Sequence, residues 1–205
     1  MDKTSIHGKY WYSAERVPDI VEMVSYMRDV YDYLKDIPKY RAVKEAGFIR
    51  NDTFDEVAEL FPKLEEFRIK YGMHKRVTYL EYKGRHTYLL PPHDHEAVGH
   101  SMFFPIYYSD YAGTAFYEPT AEELVESKPL KVGLAIGDSP TNKRYSCSLD
   151  VTPIEVVGGN RPMLFNTLQL HTAYEWEIGH PANYTRVSIT WDSPVPFTEM
   201  ISNIS

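Results

Sequence analysis

Apolar residues recur along the first third of the chain at three- and four-residue steps. Val17, Ile20, Val21, Val24, Met27, Val30, Tyr31 and Leu34 form one stripe, the mark of a helix with a single buried face. Pro38 follows and is expected to end it. A second helix is predicted to open at Thr53, where Thr53 and Glu56 have capping-box spacing. Phe54, Val57, Leu60, Phe61, Leu64 and Phe67 then supply its stripe. Pro62 lies inside this run and is expected to kink or split it.

After Gly72 the rhythm shortens. Segments rich in Val, Ile, Thr, Tyr and Phe alternate with turn residues, and strands are predicted at 76–82, 86–90, 98–108, 113–117, 130–136, 144–157, 162–174 and 184–191. The polar stretch 119–128 reads as a loop or one helical turn. GDSPTNK at 137–143 and GGNRP at 158–162 are turn signals. Short strands at this spacing predict a sandwich, barrel or jelly roll rather than a sheet of βαβ units. Helices first and strands afterwards make an α+β chain, expected to be one domain over 1–205. In it, 1–72 is a helical buttress, 73–192 a jelly-roll core and 193–205 a C-terminal tail.

Composition narrows the function classes. The chain has 205 residues, enough to bury a core without covalent staples, and a single cysteine, Cys147, excludes an intramolecular disulfide. A reducing, cytoplasmic interior is therefore the expectation. No apolar run reaches membrane-spanning length, and the opening MDKTSIHGKY lacks the order of a signal peptide, so no membrane partner is expected. The net charge of −7 argues against generic grip on a nucleic-acid backbone. The expected partner is a small molecule or a side chain of unspecified identity. Aromatic residues make up 14% of the chain, a share that fits pleated, half-buried surfaces.

Candidate chemistry lies in the histidines. PPHDHEAVGH at 91–100 holds three of the eight. On an extended segment His93 and His95 share a face while Asp94 and Glu96 take the other. Two imidazoles so placed can hold adjacent positions on one metal. His171, in FNTLQLHTAY, is the natural third ligand if strand closure brings it alongside. Three protein ligands leave positions open for substrate and oxygen, as a catalytic metal requires. The alternative is that histidines of this kind are surface or hydrogen-bonded core residues, the reading preferred for His74 and His86. His100 is a candidate donor orienting a ligand, and His180 is expected in a loop.

The run RPMLFNTLQLHTAYEWEIGHPANYTRVSITWD at 161–192 resembles the C-terminal half of the core in the 2-oxoglutarate- and Fe(II)-dependent oxygenases. There a hydrophobic strand precedes a metal-binding histidine, and a later strand carries Arg-x-Ser, here Arg186-Val187-Ser188. TYLEYKGRHTYLLPPHDH resembles the approach to the family's His-x-Asp motif, and MFFPIYYSDYAGTAFYEP its next hairpin. The resemblance spans about residues 76–192 and implies a double-stranded β-helix of the jelly-roll or cupin type. It implies Fe(II) held by His93, His95 and His171, and 2-oxoglutarate anchored by Arg186 and Ser188, with Tyr82 and Tyr108 nearby and Tyr107 competing with Tyr108. A dianionic co-substrate bound to metal at one end needs a fixed cation at the other, and arginine offers a planar fork. The implied activity is oxidation of a substrate with release of succinate and CO2.

The chain departs from the pattern at the motif itself. It offers His93-Asp94-His95, and aligning Phe104-Pro105-Ile106 with the family's hydrophobic strand puts His95 where the family has a carboxylate, a choice that simple alternation favours. Three neutral imidazoles bring no compensating charge to Fe(II), which predicts a weaker-binding, more electrophilic centre. Pro91-Pro92 could instead turn Asp94 inward. Alternatively the three histidines belong to a cupin-type dioxygenase that uses no 2-oxoglutarate, or the fold serves as a non-catalytic binding or structural protein. The stretch EWEIGHPAN between His171 and Arg186 is longer than the pattern leads one to expect.

Overall fold

The structure is a computed structural model. It describes residues 10–43, 46–49, 51–83, 92–93, 99–108, 112–127, 144–148, 150–175 and 185–204. The strands expected at 86–90 and 130–136, the turn at 137–143, and His86 and His180 lie outside the described residues.

The chain is mixed α/β, with antiparallel sheets and four α-helices among the described residues. Helix α1 (Ile20–Leu34) carries the first stripe, with Ile20, Met23, Met27, Val30, Tyr31 and Leu34 buried. Val21, expected in the stripe, is 82% exposed, and Met23 takes its place. Pro62 splits the second helical run as its missing N–H requires: α2 (Phe54–Leu60) ends before it and α3 (Pro62–Tyr71) begins with it. The capping box does not form, because Thr53 is in a helical conformation and makes no side-chain cap bond. Gly72 closes α3 in the left-handed conformation (φ 62°), its N–H reaching the Arg68 and Ile69 carbonyls.

Strands β1 (Trp11–Ser13), β2 (Arg41–Val43), β3 (Ala46–Ile49), β4 (Val77–Lys83), β5 (His100–Tyr108), β10 (Met163–Asn166) and β12 (Thr185–Ser193) form one sheet, ordered β1-β10-β5-β12-β4-β3-β2. A second sheet, β11-β6-β9, contains β6 (Ala112–Tyr117), β9 (Glu155–Gly158) and β11 (Leu170–Glu175). Strands β7 (Val125–Ser127) and β8 (Arg144–Ser146) pair separately. The expected strand 144–157 is thus two, β8 and β9, and 162–174 divides into β10 and β11. The second division is made by Asn166, whose side-chain oxygen accepts from the Leu168 N–H (3.1 Å) while its carbonyl accepts from Gln169. This local competition with the ladder reverses the chain and delivers it to the other sheet.

Residue alternation sorts the two faces of the large sheet. Val187, Ile189 and Trp191 of β12, with Val77 and Tyr79 of β4 and Met102 and Phe104 of β5, join the core formed by the helices. Phe103, Met163 and Phe165 face the other way and pack with Phe116 and Val157 of the small sheet. The last segment is more than a tail. Helix α4 (Phe197–Ile204) buries Phe197 and Met200 in the helical core. The buried His100 ring ties β5 to the approach to this helix through Nδ1 and the Val195 carbonyl oxygen (2.7 Å), so it serves that connection. No helix among the described residues is long and apolar enough to cross a membrane.

Candidate functional site

His93 and His171 are brought together by the main chain. Each N–H donates to the other's carbonyl, at 3.1 and 3.0 Å, and the two residues form an isolated antiparallel bridge. Their imidazole centroids are 5.1 Å apart. His171 is buried between Phe165 (centroids 4.7 Å) and Phe116 (6.3 Å). Its Nδ1 lies 2.7 Å from the Gln169 carbonyl oxygen, which can only accept, so Nδ1 carries the hydrogen and the lone pair sits on Nε2. Burial first, and the neighbouring His93 second, push the His171 imidazole down to about 3, so the ring is neutral at physiological pH. A neutral imidazole oriented through its second nitrogen is what a metal ligand requires. Asp94 and His95 lie outside the described residues. Among those described, no group of three or more His, Cys, Asp and Glu gathers to hold a metal.

Arg186 occupies the facing sheet and is 5% exposed. Its Nη1 donates to the Gly113 carbonyl (2.7 Å) and its Nη2 to Thr114 Oγ1 (3.1 Å), so the guanidinium bridges from β12 to β6. The guanidinium carbon stands 5.3 Å from the Phe103 ring centre and 5.8 Å from that of Tyr108. No carboxylate among the described residues pairs with it, and its buried Nε has no hydrogen-bond partner. Ser188, on the same face of β12, is fully buried with Oγ likewise unpartnered. A buried cation with an open donor is costly unless an anion completes it. Arg186 also lies close to the histidines. Thr114 is two positions, roughly 7 Å, along β6 from Phe116, and Phe116 is paired with His171 on the neighbouring strand.

A β-bulge sends Tyr107 and Tyr108 in different directions. Arg186 pairs with Tyr108 and Val187 with Tyr107, but Ser188 pairs with Pro105, leaving Ile106 as the extra residue. The bulge turns Tyr108 towards Arg186. Tyr107 points to the helical side, where its ring meets Tyr31 (6.1 Å). Gly159 makes room for this arrangement, since a Cβ there would lie 1.6 Å from Tyr108 Cε1. Tyr82 is paired with Arg186 in the ladder on the other side of β12. Three contributors escaped sequence reasoning. The Gly113 and Gln169 contacts are made by backbone carbonyls, which leave no side-chain signal, and Thr114 looked like an ordinary strand residue.

No protein-family model matches the chain, and no curated protein does either. Among solved structures the chain is similar to the epimerase SnoN in complex with Fe3+, alpha-ketoglutarate and nogalamycin RO. The TM-score is 0.42 and the identity 11%, over 92% of this chain and 80% of that one. It is also similar to a structure of the non-heme alpha-ketoglutarate-dependent epimerase SnoN from nogalamycin biosynthesis, with TM-score 0.40 and 11% identity over 89% of this chain and 78% of that one.

Proposed function

We propose that the chain is a non-haem Fe(II)- and 2-oxoglutarate-dependent oxygenase, its two opposed sheets forming a double-stranded β-helix. The observation that carries this reading is a buried arginine with an open Nε and a neighbouring open hydroxyl, facing a main-chain-locked pair of histidines. His93 and His171 would hold the metal. His95 is the proposed third ligand, on the alternation that places it with His93. Arg186 and Ser188 would receive the distal carboxylate of 2-oxoglutarate, beside Tyr108 and Tyr82.

The residues fit that group in charge and in chemistry. The lone pair of His171 is fixed on Nε2 by Gln169, and the two open donors on β12 match a carboxylate. When bound, iron with 2-oxoglutarate supplies the oxidation of substrate coupled to release of succinate and CO2. The chain's own share is positioning and exclusion of water. Phe103, Phe116 and Phe165 surround the candidate groups with apolar surface, which strengthens every polar contact within it.

Anaerobic titration with Fe(II) and 2-oxoglutarate tests the proposal, and a visible charge-transfer band is expected only when both are present. His171→Ala should abolish iron binding, and His95→Asp should keep or tighten it. Arg186→Met should bind iron but lose the dependence on 2-oxoglutarate. Iron binding without the band, and without succinate release under oxygen, would point to a three-histidine dioxygenase instead. No iron affinity at all would leave a non-catalytic protein. Loss of iron in Asp94→Ala but not in His95→Ala would reassign the third ligand.

A further inference from the structure

The histidine pair belongs to a longer row. His93 is bridged to His171, His171 is paired with Phe116, and Phe116 is paired with Glu155. Directly opposed residues on neighbouring strands share a face. His93, His171, Phe116 and Glu155 therefore stand side by side across the small sheet. Val157, two positions from Glu155 on β9, packs against Phe103 and Phe165, which fixes this face as the one turned to the large sheet. With about 5 Å per step, Glu155 stands roughly 10 Å from His171.

The carboxylate is half-buried, and one of its oxygens accepts from the Trp11 indole N–H (2.7 Å). No lysine or arginine among the described residues pairs with it. Tyr10 stacks on Phe116 with ring centres 6.0 Å apart, so the N-terminal strand lays aromatic surface over this end of the row. A half-buried carboxylate held by a neutral donor keeps its charge uncompensated. Aromatic rings beside it favour a cation through their negative faces. The chain's net charge of −7 draws cations rather than anions from solution.

We infer that Glu155, held in place by Trp11, is the recognition group for an ammonium-bearing substrate, presented along the row to the histidine pair across Phe116. This deepens the oxygenase reading and rests on it for the identity of the reaction. The other role open to Glu155 is to anchor Trp11 alone, which a neutral glutamine would fill equally well.

The test follows the indole N–H resonance of Trp11, assigned with Trp11→Phe against Trp176 and Trp191, in metal-free and Zn(II)-loaded protein. Three probes of equal length are titrated: n-butylammonium, n-butanol and butyrate. The Trp11 resonance should move saturably with butylammonium and at least tenfold more weakly with the other two. Glu155→Gln should weaken the butylammonium response at least tenfold. The Trp191 resonance, whose N–H bonds the His74 carbonyl in the core, should stay in place and report that the variant is folded. An equal response to butanol, an unchanged response in Glu155→Gln, or no response of the unmodified chain to butylammonium would overturn the inference. Probe discrimination in the unmodified chain needs no variant, so it decides the matter even where a substitution fails to fold. Iron affinity, measured separately on the same proteins, keeps the two readings apart. Iron bound without ammonium discrimination sinks this inference alone, whereas discrimination without iron sinks the oxygenase and leaves a cation site.

Discussion

Gly159 shows how one missing side chain can set the geometry of a site. Its Cβ would sit inside the Tyr108 ring, so Gly159→Ala must displace either the ring or the backbone. The expected cost is about 1–3 kcal/mol, as for other overpacked positions. Tyr108→Ala removes the obstacle, and the alanine at 159 should then be nearly neutral. Urea unfolding of the four proteins of this cycle checks it, and additive losses would show that the clash is not the cause. Asp192 gives a second prediction. Its buried carboxyl is raised above the usual range, first by burial, against the pull of the Ser101 hydroxyl, Arg76 and His74. A folded-state value above the unfolded one means that ionisation opposes folding. The unmodified chain therefore gains stability as pH falls through the raised value, and the gain is complete below the ordinary 3.8. Asp192→Asn should be the more stable protein at pH 7, and its advantage should shrink as pH falls. Unfolding midpoints at pH 7, 5.5 and 4 measure this, and a less stable asparagine variant at pH 7 would contradict it.

Among the elements, the end of α3 is the most exposed to a single change. Gly72 holds the left-handed conformation, and a Cβ there would meet Val195 Cγ2 at 3.1 Å. Gly72→Ala should cost about 1–2 kcal/mol, and Gly72→Asn less, read as shifts in thermal midpoint. At this scale the sequence was legible where one rule acted alone. Pro62 had to break the helical run, and the stripe on α1 had to be buried. It was illegible where tertiary contacts outvoted a local rule. Val21 fits the stripe but meets no neighbour that covers it, and Thr53 has the right capping partner in the wrong conformation. The short strands β1 to β3 carry too few residues to show a period. Of the candidate residues, His171, Arg186, Ser188 and Tyr108 could be singled out because side-chain chemistry announces itself. The bulge that puts Tyr108 beside Arg186 and Tyr107 beside Tyr31 depends on how β5 pairs with β12, and one strand's sequence does not contain its partner's register.

For the whole molecule, the question is what holds the large sheet's outer face. The helices cover it, and α4 closes the cover with Phe197 and Met200. Each such side chain contributes about 1.5–3 kcal/mol on burial, so a chain ending at Pro196 should lose about 3–6 kcal/mol. That is a large fraction of the ~5–15 kcal/mol by which domains are stable. A drop in urea midpoint of that order is expected, with the slope little changed. A truncated chain as stable as the full one would show that the helix merely rests on the surface.

Arg186 spans from one sheet to the other and is already clasped by a carbonyl and a hydroxyl. Its guanidinium thus surrendered its rotational freedom when the chain folded. An anion arriving there would meet a partner with nothing left to immobilise, saving the roughly 0.5–1.5 kcal/mol that ordering a long side chain normally consumes. Removing the Thr114 hydroxyl that holds Arg186 Nη2 should therefore weaken the capture of such an anion. The loss would be felt in the entropy of binding more than in its enthalpy.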